Sequence, residues 1–198
     1  MLTPEPIRSF FQDIDGRWRI VRKEKLRLRV IGSAALMLQT DYVRGTKDSD
    51  ILETTEMTEA DKQRLLELAG IGSDVAQRHR MYLEIVSSGL PFLPQSPHWL
   101  PLPVLNPLLN HLTIEVLEVV DVVVSKLKRF SANDANDVRA MIEAGLVEHG
   151  RLIERFLSAV DFYGCDARAD DLPKYVRNLH QVERDLFAVP ETKIELPA

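Results

Sequence analysis

Two acidic residues separated by one position, Asp48 and Asp50, give the strongest indication of chemistry in this sequence. Their segment, Asp48–Leu52, is predicted to be a short strand, and residues two apart in a strand point to the same face. Two carboxylates held side by side repel each other unless a cation lies between them, and oxygen ligands suit a hard divalent cation such as Mg²⁺ or Mn²⁺. The pair therefore predicts a metal site, with a solvated pair of strand-end charges as the alternative.

A glycine and a serine, Gly32 and Ser33, lie where a predicted strand meets a predicted helix. Leu26, Leu28 and Val30 alternate with polar residues as in a half-buried strand, and an apolar run typical of a helix follows Ser33. Glycine lets the backbone approach a ligand, and a hydroxyl together with the first amides of a helix binds phosphate oxygens. A phosphate cradle and a carboxylate pair are the parts that phosphoryl or nucleotidyl transfer requires.

These segments together resemble a known signature. Gly-Ser-Ala-Ala-Leu at 32–36, followed by Arg-x-Thr-Lys-Asp-x-Asp-Ile-Leu at 44–52, is similar to the signature of the DNA polymerase beta-like nucleotidyltransferase superfamily. The similarity is greatest to the small bacterial branch that includes AbiE-type toxins. It implies a third acid on a later strand, and Glu84 lies where the family usually has Asp. The resemblance implies Asp48, Asp50 and Glu84 as catalytic residues and metal ligands, and it implies these nucleotide-binding residues: Gly32, Ser33, Arg44, Thr46 and Lys126.

A second block supports the resemblance. Asp121 is followed five residues later by Lys126-Leu127, and then by an acidic helix start that contains Asp134 and Asp137, as in the AbiE-type pattern. Lys126 falls between the polar side of the predicted helix, which carries Asp121, and its valine side, so it can bury its stem and direct its ammonium towards a nucleotide phosphate; a surface lysine is the alternative. The three aspartates are predicted substrate contacts, although Asp134 fits a helix N-terminus equally well.

Composition limits the class of protein. The 198 residues, 45% of them apolar, suffice for a globular core, and the lone Cys165 cannot form an internal disulfide. With no long apolar stretch and no signal-like start, we expect a cytoplasmic protein without a membrane partner, and the resemblance implies a bacterial one. The net charge of −5 argues against a general nucleic-acid coat. However, seven bases between Arg17 and Arg29 form either a phosphate- or RNA-facing patch or an ordinary solvated surface.

The element pattern predicts an α/β (α+β) fold with a small mixed sheet and a helical C-terminal region. We expect one nucleotidyltransferase-like domain over 1–198, with the sheet core and acidic site in 1–117 and helices in 118–198. The proline-rich segment 91–107 is predicted to be an ordered loop. Other predicted strands are 81–86 and 112–117, and the predicted helices are a short one near 7–14, then 33–38, 58–69, 118–130, 134–145, 148–163 and 171–187.

The predicted activity is transfer of a nucleoside monophosphate from an NTP to a hydroxyl. The resemblance implies an RNA (tRNA) or protein acceptor and a toxin or phage-defence setting with an antitoxin partner. Two alternatives stay open. One is a degenerate fold that binds a nucleotide or a partner without turnover, and the other is a purely structural or interaction protein.

Overall fold

The computed structural model describes residues 5–19, 24–45, 47–164 and 169–196. The chain divides into two compact units. The sheet unit comprises the described residues up to Leu90 together with Trp99–Leu117. The helical unit comprises Pro91–His98 and the described residues from Glu118 onward.

A five-stranded mixed sheet forms the centre of the sheet unit and confirms the predicted fold class. The strand order is β3-β2-β1-β5-β4. β1 runs parallel to β5 and β2 runs parallel to β3, whereas the β1–β2 and β4–β5 pairs are antiparallel. The strands are β1 Leu26–Val30, β2 Asp48–Leu52, β3 Tyr82–Val86, β4 Trp99–Pro101 and β5 Leu112–Leu117.

Alternation along the central strands separates an apolar face from a polar one. Leu26, Leu28 and Val30 of β1 are buried, and each lies beside a buried residue of β5. The intervening Arg27 and Arg29 point to the opposite face, as the period of two requires. The apolar side packs against helices: α2 lies on β2 and β5, and α3 lies on β3.

Four helices belong to the sheet unit: α1 Glu5–Arg17, α2 Gly32–Gln39, α3 Glu59–Ala69 and α4 Asp74–His79. The start of α3 is set locally, because Thr58 and Asp61 form a reciprocal capping box. The six-residue α4 was not predicted. Ser73 caps it, and its shortness leaves too little apolar periodicity for a pattern to be visible.

The proline-rich segment contains a strand that the sequence did not predict. Trp99–Pro101 pairs antiparallel with β5 at the edge of the sheet, where the missing N–H of Pro101 is tolerated. A 3₁₀ turn follows at Asn106–Leu108. The Asn106 amide donates to the Ile114 carbonyl and accepts from the Ile114 N–H, which anchors the turn to β5.

The helical unit contains α5 Val119–Lys126, α6 Ala132–Glu143, α7 His149–Tyr163 and α8 Leu172–Val182, and a π-helical turn, Glu183–Phe187, follows α8. The predicted boundaries 118–130 and 134–145 were wrong at the shared junction, because Phe130 adopts a left-handed φ of 50° and Ser131 caps α6. Phe92, from the preceding 91–98 segment, contacts Phe156, Tyr163 and Tyr175 edge-on or at a tilt. Among the described residues, no helix combines the length and the apolar character needed to cross a bilayer.

Candidate functional site

An acidic face, defined as Asp48, Asp50 and Glu84, lies on adjacent strands of the sheet unit. Asp48 and Asp50 are half-buried, and the intervening Ser49 is fully buried on the opposite side of the sheet. Glu84 is exposed and lies directly beside Asp50 in the parallel β2–β3 register. Partners in register share a face, so the sheet places all three carboxylates on one side.

Tyr82 lies directly beside the acidic face and was not predicted from the sequence. It pairs with Asp48 in register and is two residues from Glu84. Burial raises the pKa of the Tyr82 phenol, and the negative charges of Asp48, Glu84 and Asp50 raise it further. The phenol therefore reports a field to which all three carboxylates contribute. The signal available in the sequence was its spacing of two from Glu84.

Gly32 allows Asp50 to occupy its position. Gly32 has a left-handed φ of 66°, and a Cβ placed on it would lie 2.8 Å from Oδ2 of Asp50. The backbone is held there by the Ile31 N–H, which donates to the Asp50 carbonyl at 2.9 Å. Any larger residue at this position would displace the carboxylate, so the structure brings the predicted turn and the predicted acid pair together.

The start of α2 presents amides beside this contact. The N-cap residue is Ile31, whose side chain cannot accept a hydrogen bond, and α2 carries no acidic residue in its first turn. Arg44 Nη1 donates to Ser33 Oγ at 3.0 Å. A helix N-terminus with a hydroxyl and a guanidinium beside it has the polarity of an anion site. Thr46, also predicted to bind nucleotide, lies outside the described residues.

The carboxylates fit a divalent cation in donor chemistry. Carboxylate oxygens are the ligands that Mg²⁺ prefers, and the absence of a side chain at Gly32 leaves room for the carboxylate of Asp50. Over the part of the chain that the structure describes, no group of three or more His, Cys, Asp or Glu side chains is placed to hold a metal ion. Asp48 and Asp50 are thus suitable ligands, whereas a three-ligand set with Glu84 is not preassembled.

The helical unit brings together three other predicted residues. Lys126 is only 7% exposed, and its Nζ lies 2.6 Å from Oδ2 of Asp137 and 3.3 Å from Oδ1 of Asp134. The two aspartates are spaced three apart on α6, so they share the face that receives the lysine. Lys126 buries its stem as predicted, and its charge is directed at these carboxylates.

Asp134 has a clear structural role at the start of α6. It accepts hydrogen bonds from the Ser131 N–H and hydroxyl, completing a capping box, and from Arg129 Nε at 2.9 Å. Burial acts to raise the pKa of Asp134, but the hydrogen bonds from Arg129 and Ser131 and the charge of Lys126 outweigh burial. The pKa therefore lies well below the ordinary range of an aspartate.

The sequence pattern placed Asp121 on the polar side of its helix, but in the structure its side chain is fully buried. Arg155 donates to its two oxygens from Nε at 2.6 Å and from Nη2 at 2.8 Å. The same carboxylate accepts from the His98 N–H, and Arg155 also donates to the Ser96 carbonyl. Arg155 was missed because its partner lies 34 residues away and no spacing rule connects them.

The basic N-terminal segment is largely paired with acids and carbonyls. Arg17 bonds Asp13, and Arg19 and Lys25 donate to backbone carbonyls. Arg27 and Arg29 both reach Glu115, at 3.4 and 3.2 Å. Arg22 and Lys23, also in this cluster, lie outside the described residues. Of these described bases, Arg17, Arg27 and Arg29 form ion pairs, whereas Arg19 and Lys25 are held by backbone carbonyls.

Comparison with known proteins identifies the family. No curated protein and no solved structure matches the chain significantly. One family model, described as a nucleotidyltransferase of unknown function (DUF6036), matches residues 11–182. The matched region includes the acidic face, the Gly32 turn and the Lys126 cluster, and it spans most of the 198 residues. The chain belongs to this nucleotidyltransferase family.

Proposed function

We propose that the protein is a metal-dependent nucleotidyltransferase that moves a nucleoside monophosphate from an NTP to a hydroxyl of an RNA or protein acceptor. The observation that carries the proposal is the juxtaposition of the acidic face with the Gly32 turn, where Asp50 fills the space a side chain at position 32 would take. Carboxylates and a phosphate-binding turn on one sheet are the parts that this transfer uses.

Each group has a role in the transfer. Asp48 and Asp50 would hold one or two Mg²⁺ ions, which would supply positive charge against the developing negative charge of the transfer. Glu84 would serve as a third ligand or as the base that takes the proton of the acceptor hydroxyl. The acceptor oxygen forms a bond to the α-phosphorus, the bond from that phosphorus to the bridging oxygen breaks, and pyrophosphate leaves. Ser33, Arg44 and the first amides of α2 bind the triphosphate.

Lys126 and the aspartates of the helical unit remain part of the proposal. The resemblance is the ground for giving Lys126 a nucleotide-binding role and Asp134 and Asp137 a substrate-contact role, and within the helical unit the lysine pairs with both aspartates. Membership of the AbiE-related branch and a toxin or phage-defence role with an antitoxin partner are proposed on the sequence resemblance alone. A cytoplasmic setting is proposed on the lone Cys165, which suits a reducing compartment.

Two observations favour a second candidate function. Glu84 takes the position where the resembled family has Asp, and the described residues form no three-ligand group as they stand. A degenerate nucleotidyltransferase that binds nucleotide without turnover would show both features.

Label transfer tests the two candidates. The protein is incubated with Mg²⁺ or Mn²⁺, each α-³²P-labelled NTP and total RNA or protein, beside Asp48→Asn/Asp50→Asn. The matched control is Asp161→Asn/Asp170→Asn, which removes two negative charges from exposed positions. Transfer lost in the first variant and kept in the control supports the enzyme. Nucleotide-dependent thermal stabilisation without transfer supports the degenerate fold, and no response to nucleotide or metal contradicts both.

A further inference from the structure

A basic and aromatic platform, defined as Arg27, Arg29 and Trp99, lies on the same side of the sheet as the acidic face. The Arg29 guanidinium stacks over the Trp99 ring, 4.9 Å from its centroid. The buried residues of β1 point to the apolar face of the sheet, so Arg27 and Arg29 point to the opposite face, and their side chains are 42% and 31% exposed. The sequence offered a phosphate- or RNA-facing patch for the bases of 17–29 as a group, but none of the three platform residues belongs to the predicted site, and Trp99 had no role.

The register places Trp99 and the acidic face in one row across the sheet. Trp99 pairs with Leu117 on β5, and Asp50 pairs with Glu84 on β3. Val30 pairs with Val116, so the next residue, Ile31, lies beside Leu117, and its N–H donates to Asp50. Strands are about 4.8 Å apart, so Trp99 lies three strand spacings, roughly 14 Å, from Asp50.

We propose that this platform binds a single-stranded RNA acceptor, with a base stacked on Trp99 and backbone phosphates on Arg27 and Arg29. The inference rests on the proposed function, because that function requires a hydroxyl to be delivered to the acidic face. An aromatic ring beside guanidinium groups is the combination that binds single strands without sequence preference. A peptide acceptor carries neither bases to stack on Trp99 nor backbone phosphates to pair with the arginines.

The ion pairs of the platform are of the kind that phosphate can replace. One carboxylate, Glu115, serves both arginines at 3.2–3.4 Å, and Arg27 also reaches the exposed Glu56 at 3.4 Å. The Arg27–Glu56 pair is the most exposed of these, and surface pairs contribute little to stability, so exchanging that carboxylate for a phosphodiester costs little. Arg27 is therefore not committed to its present partner, while Glu115 holds Arg29 in position.

Intrinsic fluorescence provides a direct readout, because the chain has two tryptophans and Trp18 is only 1% exposed whereas Trp99 is half-buried. Unlabelled oligoadenylate of about ten nucleotides, a length within known single-strand site sizes, is titrated without NTP or metal. We expect quenching that disappears in Trp99→Phe, while fluorescence anisotropy of a labelled oligonucleotide shows that this variant still binds. Trp99→Ala is expected to weaken binding roughly 5- to 100-fold.

Salt dependence tests the arginines. In Arg27→Gln/Arg29→Gln, the slope of log affinity against log salt is expected to be shallower by about 0.7 for each lost phosphate contact. Arg139→Gln/Arg177→Gln removes two exposed charges from the helical unit and should leave the slope unchanged. Unaltered oligonucleotide binding in both Trp99→Ala and Arg27→Gln/Arg29→Gln overturns the proposal. Quenching by NTP alone, with no oligonucleotide binding, also overturns it. Normal oligonucleotide binding without label transfer would instead contradict the proposed function only.

Discussion

Oδ2 of Asp50 lies 2.8 Å from the position that a Cβ of residue 32 would have, so the Asp50 carboxylate occupies the space that a side chain at Gly32 would need. The left-handed φ of Gly32 and the hydrogen bond from Ile31 to the Asp50 carbonyl fix both backbones around this contact. The position of the carboxylate is thus coupled to the absence of a side chain at the turn. A substitution at either residue should affect the other.

Replacing Gly32 by alanine is expected to impair both stability and transfer. A left-handed alanine costs about 1–2 kcal/mol, and the added methyl group must also displace the Asp50 carboxylate. Gly145→Ala is the matched control, since Gly145 has φ 68° and a Cβ there meets nothing within 4 Å. Chemical denaturation should show the larger loss for Gly32→Ala, and label transfer should fall at least tenfold in that variant alone. Equal transfer by both variants would contradict the coupling.

The Tyr82 phenol should report charge on the acidic face. Because negative neighbours disfavour the phenolate, Asp48→Asn/Asp50→Asn is expected to lower the pKa of Tyr82, while burial still holds it above its ordinary value. The ¹³Cζ chemical shift of labelled tyrosine, assigned with Tyr82→Phe, measures the titration. Asp161→Asn should leave it unchanged.

The same labelled tyrosine tests for a metal ion without requiring activity. A divalent cation bound between Asp48 and Asp50 would offset the negative field at the Tyr82 ring, so Mg²⁺ added at neutral pH, where it stays in solution, should shift the ¹³Cζ resonance of Tyr82 in the wild-type protein. The shift should be absent in Asp48→Asn/Asp50→Asn. A Tyr82 resonance that does not respond to Mg²⁺ would speak against a cation at this pair.

Features encoded by short-range patterns were predictable from the sequence. The β2 strand with both aspartates on one face follows from a period of two, and the start of α3 follows from Thr58 and Asp61 three residues apart. The α/β class followed from the order of such elements. Each of these depends on residues within one turn or one strand, where the sequence carries the physical information directly.

Features that depend on distant partners were not predictable. The burial of Asp121 depends on Arg155, and the β4 strand exists because Trp99–Pro101 finds the edge of β5. Amphipathic periodicity placed Asp121 on a polar helix side, because it cannot distinguish a solvated charge from one paired inside a helical bundle. The ion pairs of Lys126 with Asp134 and Asp137 were not predictable for the same reason, because both partners lie on the next helix.

The buried Asp121–Arg155 pair is expected to be structural. Removing one partner leaves the other charge buried, so Asp121→Asn and Arg155→Met should each lower the free energy of unfolding by about 3–5 kcal/mol. The double variant should be more stable than the sum of the single losses predicts. Urea denaturation of all four proteins gives the coupling energy.

A neighbouring pair provides the control for this cycle. Arg151 and Glu118 approach to 3.3 Å, but the Arg151 side chain is 46% exposed, so Arg151→Ala should cost less than about 1 kcal/mol. If Asp121→Asn is as harmless to stability as Arg151→Ala and instead abolishes transfer, Asp121 is a substrate contact and the structural role is contradicted.

The cluster around Asp134 should make stability depend on acid pH. Its pKa is lowered in the folded protein by Arg129, Ser131 and Lys126 against the effect of burial, so folding favours the charged form. The resulting stabilisation is fully present above the ordinary aspartate pKa of about 3.9 and is lost as pH falls below that value towards the depressed one. Urea midpoints between pH 7 and pH 3 should therefore fall less steeply in Asp134→Asn, which is already destabilised at neutral pH. Asp161→Asn, at an exposed position, should keep the wild-type slope, and a wild-type slope in Asp134→Asn would show that other carboxylates carry the acid sensitivity.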